Sequence, residues 1–247
     1  MGLQAQRRVM DIDKKMIFLG LAAAIIVVVV VVVLYHTGRI RPNETFASRY
    51  PIQGMDVSNH QDEIDWQQID QNAEISFVFL KATEGKNYRD QYFQKNWEEL
   101  SGAGIYKGAY HYFTLTSSGR EQAENFIAVV PVESGCLPPV IDIEEYGLDQ
   151  ETFRKELRDF IYLVEERYQQ KPILYVIYSL YDEYIKGEFE ENPIWISDIV
   201  KAPKLSDQRE WLFWQYSHNG KVNGVPGDVD LDVFQGDRRQ LEALLSK

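Results

Sequence analysis

The stretch Met16–Tyr35, MIFLGLAAAIIVVVVVVVLY, carries no charge over 20 positions and includes seven consecutive valines, Val27–Val33. At ~1.5 Å per residue a helix of this length reaches about 30 Å, the thickness of a bilayer's hydrocarbon core. Valine is a mediocre helix former in water, but a single span in lipid must satisfy its own backbone hydrogen bonds, and only a helix does so. A buried core helix has little use for such a valine run. A cleaved signal peptide has a shorter apolar region, about 7–15 residues, that ends at a small-residue site. Here the run exits into His36-Thr37-Gly38-Arg39 with no such site. The reading is a tail at 1–15 followed by an uncleaved transmembrane anchor at 16–35. Arg7, Arg8, Lys14 and Lys15 precede the span, and Arg39, Arg41 and Arg49 follow it more loosely. The positive-inside tendency then keeps the amino terminus in the cytoplasm and places the rest of the chain in the periplasm or outside the cell.

Residues 36–51 lack apolar periodicity and read as a linker. Asn43-Glu44-Thr45 within it matches a glycosylation sequon, a triplet too common by chance to carry weight. The charge divides at the same boundary. The 247 residues hold 26 Lys/Arg and 38 Asp/Glu, a net charge of −12. Seven of the basic and three of the acidic residues lie in 1–49, which leaves 19 against 35, or −16, for the remainder. A body that acidic is a poor partner for nucleic acid and is repelled by anionic lipid surfaces. The lone Cys136 excludes an internal disulfide framework and a cysteine-based zinc cluster.

From residue 52 to 247 short apolar runs alternate with amphipathic stretches. Strands are expected at 75–81, 108–113, 139–144, 172–178, 193–197, 211–216 and 229–234. The clearest helix is 149–170, where Phe153, Leu157, Phe160, Ile161, Val164 and Tyr168 share one face and Asp149 with Thr152 suits the start. Two more helices are expected within 90–103 and 119–130. Such alternation implies an α/β fold with a largely parallel sheet. About eight strands in this length is tight for a complete (β/α)₈ barrel, which typically uses about 250 residues, and the last strands leave no room for helices. The expectation is an irregular β/α barrel with fewer helices than strands, preceded by one transmembrane helix.

Polar residues recur at or near the strands' carboxyl ends, where parallel barrels build their sites: Asp56, Lys81 with Glu84, His111, Asp142 with Glu144, Tyr178, Gln215 and Asp230. In Pro138-Pro-Val-Ile-Asp-Ile-Glu144 the two acids are two residues apart and so face one side of a strand, with ~6.6 Å between their backbones. Neighbouring carboxylates do not both ionise easily, so one is kept protonated toward neutral pH and can act as a general acid, as glycosidic cleavage requires. A solvated acidic strand end is the plain alternative for this pair taken alone.

The motifs around it are ordered. Gly54-Met-Asp-Val-Ser58-Asn-His-Gln61, Ile64-Asp-Trp66, Phe79-Leu-Lys-Ala-Thr-Glu-Gly85 and Gly108-Ala-Tyr-His-Tyr-Phe113 precede the Asp-Ile-Glu. Trp214-Gln-Tyr-Ser217, Gly224-Val-Pro-Gly227 and Asp228-Val-Asp-Leu-Asp232 follow it. Over roughly residues 52–236 this series resembles glycoside hydrolase family 25, the Chalaropsis-type lysozymes or N-acetylmuramidases. The resemblance implies an irregular β/α barrel whose acidic pocket matches Asp56, Asp142, Glu144 and Asp230. It implies Glu144 as general acid/base, with Asp142 assisting as nucleophile or as stabiliser of a substrate-derived intermediate. The implied substrate is the β-1,4 bond between N-acetylmuramic acid and N-acetylglucosamine in peptidoglycan, with no cofactor or metal. Two positions depart from the family pattern: Asp62 stands where glycine is usual, and Ser197-Asp198 stands where a small residue and an aromatic are usual.

Tyr110, Tyr112, Tyr178, Trp195, Trp214 and Tyr216 are candidates to stack on sugar rings, each with core packing as the alternative. Gln215 and Lys81 are further substrate-binding candidates, although Lys81 can instead pair with Glu84. His111 reads equally as a structural histidine. Asp65, Asp228 and Asp232 read as turn or solvated acids, and Cys136 as a buried thiol. Two other functions fit the same residues: a membrane-anchored peptidoglycan-binding module without catalysis, and a metal-dependent hydrolase using the acids as ligands.

Overall fold

The computed structural model describes residues 3–36, 43–70 and 75–247, so residues 1–2 of the expected tail and 37–42 of the expected linker lie outside it. The chain divides into two compact units, 1–41 and 42–247. The described residues of the first form one helix, α1 (Leu3–His36), whose segment Met16–Tyr35 is long and apolar enough to cross a membrane, with mean hydropathy 3.5. None of that segment is buried.

The second unit opens with α2 (Glu44–Ala47), followed by β1 (Ile52–Val57), a 3₁₀ turn (Asn59–Gln61), α3 (Trp66–Asp70), β2 (Phe77–Glu84), β3 (Tyr88–Arg89) and α4 (Phe93–Glu99). Then come β4 (Tyr106–Tyr112), α5 (Gly119–Val129), β5 (Val140–Ile143), α6 (Gln150–Tyr168) and β6 (Ile173–Val176). The remainder is α7 (Tyr178–Leu180) continuing into a π turn (Tyr181–Ile185), β7 (Ile194–Ser197), β8 (Phe213–Gly220), β9 (Val229–Phe234) and α8 (Arg238–Glu242). In α6 the expected apolar face is buried, Asp149 Oδ1 accepts from Thr152 N at 3.0 Å, and Gln169 closes the helix in the left-handed conformation.

The sheet order is β1-β9-β8-β7-β6-β5-β4-β2-β3, and the further pairing of β1 with β2 closes eight of these strands into a barrel. All ladders in the ring are parallel except those of β9, which runs antiparallel to β1 and β8. No helix separates β7 from β8 or β8 from β9, in keeping with the length argument. The short β8–β9 connection is what permits reversal, since a parallel return needs a crossover of a dozen residues or more.

Two apolar layers result. The barrel interior holds Ile52, Phe77, Phe79, Val140, Ile173, Tyr175, Trp195, Phe213 and Phe234. The aromatic rings in it meet at centroid distances of 4.9–6.1 Å. Space for them is made by two inward glycines: a Cβ on Gly54 would lie 2.4 Å from the Phe77 ring, and one on Gly108 2.4 Å from the Phe79 ring. The outer layer packs the strands' other faces against the helices.

Residues 43–51, read as linker, instead belong to the barrel unit. Asn43 is wholly buried, so its sequon is not open to modification in the folded chain. Gln53 Nε2 donates to Ala47 O (3.2 Å) and Tyr50 O (2.7 Å), and Tyr50 packs edge-on against Trp211 and Trp214. Polar residues dominate this stretch, so apolar periodicity could not reveal it.

Candidate active site

Strand alternation decides what looks into the barrel mouth. Inward positions of β1 run Ile52, Gly54, Asp56; those of β2 run Phe77, Phe79, Lys81; β5 contributes Val140 and Asp142, with Glu144 just beyond its end. The bottom of each strand is thus apolar and the top polar. A cleft of about 210 Å³ opens there, lined by Asp56, Lys81, Tyr110, Tyr112, Asp142, Glu144, Tyr175, Trp195, Gln215 and Asp230 together with Ser58, His60 and Gln61. A groove leads onward from Glu144, Tyr175, Gln215 and Asp230 between Tyr178 and the stretch Ser197–Lys201.

Asp230 reaches the mouth by a different route from the one expected. It sits at the amino end of β9, but β9 is antiparallel, so Asp230 pairs directly with Asp56 at the carboxyl end of β1. The two-residue rule then carries Asp232 inward as well. Asp232, read as a turn or solvated acid, is wholly buried: its Oδ1 accepts from Trp195 Nε1 at 3.1 Å, and its Oδ2 has no partner among the described residues. The D-x-D of Asp230 and Asp232 repeats the D-x-E pattern of Asp142 and Glu144, and that alternation was the available signal. Tyr175 was also missed; it shares the inward parity of Ile173 in β6.

A hydrogen-bonded chain ties these groups together. Gln215 Nε2 donates to Asp56 Oδ2 at 3.0 Å, and Gln215 Oε1 accepts from Tyr175 Oη and Ser197 Oγ, each at 2.9 Å. Tyr175 also lies near enough to Glu144 to draw its pKa down. Lys81 Nζ pairs with Glu84 at 2.7 Å, lies 5.0 Å over the Tyr112 ring and lines the cleft.

Burial of four carboxyls in the mouth, with Asp232 wholly buried nearby, raises their protonation. Burial, followed by the charges of Glu144 and Asp56, pushes Asp142 well above the ordinary carboxylate range. Asp142 Oδ1 is buried with no hydrogen-bond partner among the described residues, which favours the neutral form. Burial lifts Asp56 to about 6 despite its hydrogen bond from Gln215, and lifts Asp230 to about 8 with help from Asp56 and Glu144. Asp232 is raised strongly by burial and then by Asp56. Glu144 is raised by burial, against the lowering pull of Tyr175 and Lys81. Among the described residues no group of three or more His, Cys, Asp or Glu is disposed to hold a metal ion.

Other candidates fall outside the cleft. Trp214 points to the outer layer, fully buried, with Nε1 donating to Asp198 O at 2.8 Å; Tyr216 lies in that layer too. One strand step separates them from inward Gln215, so neither stacks on a ligand in the mouth. Trp195 does face inward but is 2% exposed, and so forms the floor more than a stacking face. His111 faces outward against Phe126 and Phe160, with Nδ1 2.7 Å from Thr83 Oγ1 and Nε2 3.1 Å from Gln122 Oε1, and burial lowers it to about 3. It is a structural histidine. Cys136 is a buried thiol that burial pushes up to about 11. Asp62, in the usual glycine position, has φ of 52°, the left-handed region that favours glycine.

The closed eight-stranded ring with its acidic mouth is matched among known proteins. The family model "Glycosyl hydrolases family 25" covers residues 55–225. This chain belongs to that family. Among its relatives, Lysozyme M1 of Streptomyces globisporus is 36% identical over 209 residues, covering 78% of this chain and 71% of that protein. The uncharacterized protein YegX of Escherichia coli K12 is 37% identical over 214 residues, covering 83% of this chain and 79% of YegX. A solved structure of a family 25 glycosyl hydrolase from Bacillus anthracis superposes with a TM-score of 0.75 at 41% identity, covering 79% of this chain and 94% of that one. The family-25 barrel is therefore a glycosidase scaffold, and α1 is a further element of this chain.

Proposed function

We propose that the barrel is a muramidase that hydrolyses the β-1,4 bond between N-acetylmuramic acid and N-acetylglucosamine in peptidoglycan. The observation that carries the reading is the pair Asp142 and Glu144, two residues apart at the mouth of a family-25 barrel, both shifted toward protonation. Glu144 is the general acid/base. Its raised affinity for a proton lets it protonate the glycosidic oxygen as an oxocarbenium-like transition state develops. Asp142 assists as nucleophile or as stabiliser of a substrate-derived intermediate. Asp56 and Asp230 complete the acidic mouth, and the hydrogen-bonded chain Asp56–Gln215–Tyr175 lines it beside Glu144. Tyr110, Tyr112 and Tyr178 supply ring faces, and Lys81 a cation, along the path of the glycan. The names of relatives such as Lysozyme M1 support the same substrate.

The helix at Met16–Tyr35 anchors the chain in a membrane, with residues 1–15 cytoplasmic and the barrel in the periplasm or outside the cell, where peptidoglycan lies. Purified full-length chain mixed with peptidoglycan is expected to release soluble fragments, and Glu144→Gln to release none. Binding without release by the unaltered chain would instead make it a wall-binding module.

A further inference from the structure

The groove that leads from Glu144 is walled by one loop, and a single side chain holds that loop. Asp198 follows β7 and is 8% exposed. Its Oδ1 accepts from the Val200 and Lys201 amides at 2.9 and 3.0 Å, and its Oδ2 accepts from Tyr178 Oη at 3.0 Å. The Tyr178 hydroxyl in turn accepts from Lys204 N at 3.1 Å, and Lys201 Nζ lies 5.6 Å over the Tyr178 ring. Both sides of the groove, the tyrosine and the loop, are therefore fixed to one carboxylate. The Asp198 backbone is itself held: its carbonyl accepts from Trp214 Nε1 at 2.8 Å and from Asn43 Nδ2 at 2.6 Å. Asn43 belongs to the stretch that follows the membrane-type helix in sequence, and it is wholly buried.

We propose that Asp198, held through its backbone by Asn43, is the positioning residue for the outer wall of the groove, so that the residues after the membrane span form part of the substrate-binding apparatus. The occupant is the stretch of glycan that continues beyond the scissile bond. The groove shares Glu144, Tyr175, Gln215 and Asp230 with the acidic cleft, so a chain cleaved at Glu144 continues between Tyr178 and Ser197–Lys201. This departs from the family pattern of an aromatic residue at position 198: a hydrogen-bonded hub organises the wall here in place of a ring. The inference rests on the muramidase reading.

The test is steady-state kinetics of the full-length chain on soluble, uncross-linked peptidoglycan oligosaccharides. Asp198→Ala and Asn43→Ala are expected to raise KM by roughly fivefold or more with kcat within about twofold, the mark of lost binding common to ground and transition states. Asp198→Asn keeps an oxygen for the Val200 and Lys201 amides but turns an NH₂ donor toward the Tyr178 hydroxyl, and is expected to give a KM between the unaltered value and that of Asp198→Ala. Tyr178→Phe, which leaves Asn43 and the Asp198 backbone in place, is expected to raise KM in the same way and guards against a folding defect in the other variants. Folded variants with unchanged KM, or with the loss falling on kcat, would overturn the proposal. No turnover by the unaltered chain would instead refute the muramidase reading, a distinct result.

Discussion

At Glu144 two influences oppose each other: burial favours the protonated acid, while the Tyr175 hydroxyl and Lys81 favour the carboxylate. The balance is upward, so activity that needs the protonated acid falls as pH rises through a value above the ordinary carboxylate range. Glu144→Gln is expected to cut kcat by ~10²-fold or more without unfolding the barrel. Asp230 shows the cost of the site in stability. Its folded pKa, about 8 against an ordinary 3.8, means that the folded state holds a proton the unfolded state releases. Stability therefore declines as pH rises from 3.8 to about 8. Asp230→Asn is expected to melt at a higher temperature than the unaltered chain at pH 8, with the gap closing toward pH 4, when both are followed by calorimetry. The comparison cancels His111, whose lowered pKa acts in the other direction: it costs stability as pH falls below 6.5. Asp142, Glu144 and Asp56 were legible as lining the candidate cleft because each stands at or just beyond the polar end of an apolar strand. Trp214 takes its core-packing alternative, and Asp232 turns inward where a turn or solvated acid was expected, for one shared reason: each single step along β8 or β9 reverses the facing.

Strand parity also explains the glycines that open two of the sequence motifs. Gly54 and Gly108 stand where Phe77 and Phe79 fill the barrel floor. Gly54→Ala is expected to cost about 1–3 kcal/mol in chemical denaturation through overpacking, with the folded barrel retained. An unchanged midpoint would show that the floor has slack. Most strands and the helix α6 were readable from periodicity, as was the absence of helices late in the chain. The direction of β9 was not: Val229–Phe234 has the same apolar alternation whichever way it runs. Only the short connection from β8 decides it.

On the scale of the whole molecule, the uncharged run at 16–35 and the −16 body suggest an anchor and a separate domain, and the compact units are 1–41 and 42–247. The boundary was the unreadable part, because α2 and Asn43 join the barrel through polar contacts that leave no hydrophobic period. If α1 anchors the chain, the full-length protein stays in the membrane pellet through high-salt washing and leaves it only with detergent. Release by salt would make the association peripheral. A muramidase is defined by the bond it cuts, and the sugar left at the new reducing end reports it. Peptidoglycan digested by the full-length chain, reduced with borohydride and analysed by mass spectrometry, should carry reduced N-acetylmuramic acid at the new ends. Reduced N-acetylglucosamine there, or no new ends at all, would contradict the muramidase reading.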